Sequence, residues 1–154
     1  PQRNLHGICL TVFAAVAIIA ANIIHGTMKQ NEVTIAGKQV HLGYCYATEI
    51  SYKVLTDENI EVFMGEVGVA LTNETMPDVK KSIMLILASM MSYYEFKDEN
   101  APLTDKELMT NTTPSELGNA VGVIVGLRHQ FYYVPKDEQD KANEEKTDDE
   151  PKNA

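Results

Sequence analysis

A mainly helical α+β domain, with a short N-terminal β-hairpin followed by about five helices, is predicted by three observations. Apolar and polar residues alternate on both sides of Ala36-Gly37, as in a half-buried hairpin. Beyond Tyr44 the apolar spacing changes to threes and fours, the period of an amphipathic helix. Thr-x-x-Glu strings at Thr104 and Thr113 then announce helix starts.

Taken in order, Glu32 to Ile35 and Lys38 to Leu42 form the hairpin strands, joined where glycine can take positive φ. A first helix runs from about Tyr44 to Leu55 with Ala47, Ile50 and Val54 as its apolar stripe, and Cys45 at its start reads as a small buried hydrophobe. Glu49 and Lys53 stand at the i, i+4 spacing of a surface ion pair. Thr56 has the setting of an N-cap, with Leu55 and Ile60 as a hydrophobic staple. The second helix should therefore reach about Leu71, burying Ile60, Phe63, Met64, Val67, Ala70 and Leu71. Gly65 and Gly68 within it signal close packing or a fragile helix, since each costs about 1 kcal/mol relative to alanine. Pro77 and Asp78 open a third helix to Glu95. Its stretch Ile83 to Met91 is apolar on nearly every face, so it is either central core or an adaptable groove lined by Met84, Met90 and Met91. Thr104 and Glu107 form a capping box for a short fourth helix, stapled by Leu103 and Leu108. Thr113, Pro114 and Glu116 start a fifth helix that Pro135 ends, with Leu117, Val121, Ile124, Val125 and Phe131 on one stripe. Gly118, Gly122 and Gly126 recur along this helix every four residues and predict close packing of another backbone.

Composition bounds the function. The chain has 154 residues, 44% of them hydrophobic, and a net charge of −9. One folded domain fits, and attraction to phosphate backbones does not, which argues against a nucleic-acid partner. The charge divides the chain into three parts: residues 1–27 carry only Arg3, residues 28–135 hold 14 acids and 8 bases, and residues 136–154 hold 8 acids and 4 bases. The last part has no aliphatic side chain larger than alanine and reads as a disordered acidic tail. In the first, Ile8 to Ile24 is a 17-residue apolar run, at the lower limit for a bilayer span. It is open to four readings: an anchor, a signal-like core, upstream read-through before Met28, or a buried helix.

No catalytic spacing is present. There is no G-x-S-x-G elbow, no phosphate-cradling glycine loop and no H-E-x-x-H, and the four histidines are scattered, so neither a metal nor a cofactor is expected. Cys45 and His129 could form a nucleophile and base only through the tertiary fold. Two cysteines without C-x-x-C spacing suit a reducing compartment. Seven tyrosines and no tryptophan suggest core-edge or interface positions.

The order of short strings is informative: Gly37-Lys38 in a hairpin, Tyr44-Cys45-Tyr46-Ala47-Thr48-Glu49-Ile50, Pro77-Asp78-Val79-Lys80-Lys81, Thr113-Pro114-Ser115-Glu116-Leu117-Gly118 and Phe131-Tyr132-Tyr133-Val134-Pro135. This layout resembles the small tail assembly chaperones of tailed phages and prophages, over Met28 to Pro135. The resemblance implies a small, acidic, helical, non-enzymatic protein of the bacterial host cytoplasm. Its implied role in virion morphogenesis is to bind the elongated helical tape-measure protein and keep it soluble until tail-tube subunits polymerise. The tail-tube protein and a second copy of the chain are further partners it allows. The third and fifth helices are the expected binding elements, through Met84, Leu87, Met90, Met91 and Tyr94 and through Gly118, Gly122 and Gly126. On that expectation Met90→Glu removes client binding and spares the fold. The rival reading is an envelope accessory protein anchored in the inner membrane through residues 8–24.

Overall fold

The computed structural model describes residues 28–133; the apolar run at 8–24, the acidic tail and Pro135 lie outside them. Two antiparallel strands, β1 (Lys29–Ile35) and β2 (Lys38–Tyr44), are followed by five helices: α1 (Tyr46–Thr56), α2 (Ile60–Thr72), α3 (Val79–Lys97), α4 (Asp105–Asn111) and α5 (Pro114–Tyr132). The predicted architecture of hairpin and five helices is the one observed.

The hairpin is longer than the alternation suggested and its register pairs Val33 with Val40 and Lys29 with Tyr44. Its two-residue turn puts Ala36 at φ 51° and Gly37 at φ 73°. Positive φ at both central residues is the turn whose twist matches that of the strands, and alanine accepts it at a cost of about 1 kcal/mol. Val33, Ile35, Val40, Leu42 and Tyr44 project to one face and are buried. Helix α3 packs along the outer edge of β2, where the Tyr94 hydroxyl accepts the His41 N–H and the Tyr93 ring stacks on His41, and α5 packs against both strands. Helix α3 is also the hub of the helical layer, touching α1, α4 and α5.

Contact between β2 and α3 is closest at Gly43. A Cβ there would lie 3.2 Å from the Cβ and 3.3 Å from the Cα of Tyr93. The Gly43 carbonyl accepts hydrogen bonds from the hydroxyls of Ser89 on α3, at 2.8 Å, and Thr48 on α1, at 3.2 Å. Thr48 also bonds Ser92, which in turn donates back to the Ala88 carbonyl. Three elements thus share one buried hydroxyl cluster, and its polar atoms are satisfied, which is the condition for burying them without loss.

The capping boxes of Thr104 with Glu107 and Thr113 with Glu116 both form as predicted. Each glutamate also reaches the hairpin. Glu107 takes the Lys38 ammonium at 3.0 Å, and Glu116 accepts the Gly37 N–H at 3.4 Å. The hydrogen bonds at Thr104, with Lys38 beside them, hold the Glu107 carboxyl down at about 2; those at Thr113 lower Glu116 as well.

Four local expectations are corrected. Thr56 is not an N-cap: α1 runs through it, Asp57 ends that helix with φ 58°, and Asn59 precedes α2, so Ile60 opens the helix. The Thr56 hydroxyl instead spans the loop between the helices, donating to the Tyr52 carbonyl and accepting the Glu58 N–H. The buried face of α1 is Ala47, Thr48, Ser51 and Tyr52, leaving the predicted stripe residues Ile50 and Val54 exposed. Lys53 pairs with Asp57, while Glu49 accepts the phenols of Tyr44 and Tyr132. Finally, a Cβ added at Gly65, Gly68, Gly118, Gly122 or Gly126 would meet nothing within 4 Å. The glycine stripe of α5 faces outward because Leu117, Ala120, Val121, Ile124 and Leu127 occupy the inward side.

Candidate interaction surface

The residues expected to bind a partner divide by burial. Met90 and Tyr94 belong to the core, at 1% and 7% exposure, and present no surface. Met84, Leu87 and Met91 are half-buried, with Met84 and Leu87 packed against the same core. Met84 also lines a hollow of about 250 Å³ with Leu55, Glu58 and Lys81. The continuous apolar run of α3 thus follows from its position between the sheet and the other helices, which bury most of its circumference. Gly118, Gly122 and Gly126 form a flat exposed strip on a different helix.

Large apolar side chains are left in solvent elsewhere. Tyr46, Ile50 and Val54 follow one another at intervals of four along the outer side of α1. Tyr132 from α5 extends this stripe, its ring 6.3 Å from that of Tyr46. On α2, Val62 and Val69 are exposed, and so is Leu71, against the expectation that it joins the buried stripe, because the helix ends one residue later and its buried line closes at Ala70. Met76 and Val79 continue the apolar surface into the start of α3. Periodicity carried a signal for the α2 surface that a search for one stripe passes over: Val62 and Val69 stand seven residues apart, opposite the buried line of Ile60, Phe63 and Val67.

Ion pairs lock the edges of these surfaces. The Lys81 ammonium at the start of α3 bridges Glu58, at 3.1 Å, and Glu66, at 2.6 Å, tying α2 and its preceding loop to α3. These bonds raise the lysine's pKa. The Tyr52 phenol donates to Glu58 and stacks on Phe63; burial first, then the Glu58 carboxylate, push it up to about 12. Glu49 holds α5 and β2 against α1 by accepting from Tyr132 and Tyr44, both raised mainly by burial and further by that carboxylate. Arg128 lies over the Tyr132 ring and pairs with Glu61 at 3.4 Å, which links α5 to α2.

Cys45 is buried, and no group of three or more His, Cys, Asp or Glu side chains that could hold a metal ion is present among the described residues. Among the same residues no helix is long and apolar enough to cross a membrane. No protein-family model, curated protein or solved structure gives a significant match to the chain.

Proposed function

We propose that the protein is a non-enzymatic tail assembly chaperone that binds an elongated helical client of the tape-measure type in the bacterial cytoplasm. The observation that carries this reading is the pair of exposed apolar surfaces on α1 and α2, set on a domain whose own core is closed without them. Apolar side chains grouped in this way on a small acidic protein suit a partner that must be kept from aggregating. The layout of short strings from the hairpin to Tyr133 supports the same reading. Client contact passes in this proposal from the buried Met90 and Tyr94 to the outer faces of α1 and α2, with Met84, Leu87 and Met91 reachable only at their half-buried edges. The test is capture of the tagged full chain from cells expressing its native locus, with mass spectrometry of what it holds. A long, heptad-patterned partner encoded at that locus is the expected result. Recovery from the membrane fraction without such a partner would refute it and favour an envelope protein anchored through residues 8–24.

A further inference from the structure

The outer side of α2 joins two features that the core does not use. Val62 and Val69, at 52% and 61% exposure, lie on one helical line, and Met76, at 49%, follows beyond the turn. Val69, Met76 and Pro77 line a groove of about 380 Å³ with Glu66 and Asp78 on its rim. The same stretch is acidic. Between Lys53 and Lys80 there is no lysine or arginine, whereas Asp57, Glu58, Glu61, Glu66, Glu74 and Asp78 all fall within it. Even counting the four bordering cations, Lys53, Lys80, Lys81 and Arg128, the segment keeps two negative charges in excess, in a chain of net charge −9.

We propose that this face docks a basic amphipathic α-helix, whose apolar residues seat on Val62, Val69 and Met76 while lysines or arginines on its flanks face Glu74 and Asp78. These two form no ion pair among the described residues, unlike Glu61 with Arg128 and Glu66 with Lys81. The proposal rests on the chaperone reading and specifies the chemistry of the client helix. Helix-in-groove recognition needs apolar anchors about one and two turns apart, and a rim of opposite charge speeds encounter and fixes orientation. A second copy of this chain is a poor occupant, because it would bring an equally acidic rim against this one.

The probe is a synthetic helix of about 20 residues, roughly 30 Å long, with leucines on one face and lysines on its flanks. Its binding to the full chain is followed by fluorescence anisotropy. Saturable binding that weakens as salt is raised, and no binding of the same peptide with glutamates in place of the lysines, is the expected result. Val62→Lys with Val69→Lys should weaken binding about tenfold or more at an unchanged thermal midpoint. If that pair disturbs the fold, Met76→Lys in the loop serves instead. Equal binding by the variants overturns the proposal, as does sedimentation showing a wild-type dimer that the variants dissociate. If the variants still capture an elongated client, the face is wrong and the chaperone reading stands. If the lysine peptide binds and no such client is captured, the chaperone reading falls and the preference of the face stands.

Discussion

Replacing Gly122 with alanine should stabilise the protein, and replacing Gly43 with alanine should destabilise it. Gly122 sits mid-helix in α5 with nothing within 4 Å of an added Cβ. The substitution therefore gains the helical preference of alanine over glycine, about 1 kcal/mol, without meeting a neighbour. For a domain of this size that raises the melting temperature by about 4 to 8 °C. Gly118 and Gly126 are equally open, so the triple variant should gain about 2 to 3 kcal/mol. At Gly43 the new methyl would stand 2.9 Å from the Met28 sulfur, 3.2 Å from the Tyr93 Cβ and 3.3 Å from the Tyr93 Cα. The methionine end can swing aside, but the Tyr93 backbone belongs to the hub helix and moves only with it. Overpacking of this kind costs about 1 to 3 kcal/mol. Removing a glycine from a strand returns roughly 0.5 to 1 kcal/mol, which leaves a net loss. Thermal and urea unfolding followed by circular dichroism read both variants on one scale. A lower midpoint for Gly122→Ala would show that the α5 stripe is packed after all, and the open-space reasoning would be wrong.

Three further outcomes follow from the same structure. Met90→Glu should abolish folding rather than client binding alone, because a carboxylate at a 1% exposed site loses its hydration with no partner; a soluble, cooperatively melting variant would contradict this. On acidification, stability should be intact above the ordinary carboxylate value of 4.5 and fall as the pH approaches 2, since Glu107 binds its proton far less readily folded than unfolded; Glu107→Gln should flatten the profile of melting temperature against pH in that window. On the alkaline side the sign is reversed: Tyr44, Tyr52 and Tyr132 hold their protons more tightly when folded, so stability should persist to about pH 10 and decline as the pH rises through 12. Tyr52→Phe should flatten the profile of melting temperature against pH between 10 and 12, and an unchanged profile would refute the assignment.

The elements read correctly from residue order are those whose partners lie within one turn. Thr104 with Glu107 and Thr113 with Glu116 close their boxes over three residues, and Ala36-Gly37 encodes its turn in two. Thr56 shows the limit of such signals, because a residue flanked by Leu55 and Ile60 has the spacing of a cap yet bonds backward to Tyr52 and forward to Glu58. Of the interaction surface, the exposed valines of α2 left a trace in the spacing. The exposure of Tyr46, Ile50 and Val54 left none, since their period is that of a buried stripe.

Local order therefore set how many strands and helices there are and where α4 and α5 begin, because hydrogen bonding over three or four residues depends on near neighbours alone. Which side of each helix is buried was settled by contacts across the chain. Thr48 is accepted into the core because Ser92, 44 residues away, and the Gly43 carbonyl satisfy its hydroxyl, and that rotates Ile50 and Val54 into solvent. Likewise the outward stripe of glycines on α5 and the burial of Met90 follow from α3 lying against the hairpin, a placement that depends on the shape and hydrogen-bonding capacity of surfaces distant in sequence.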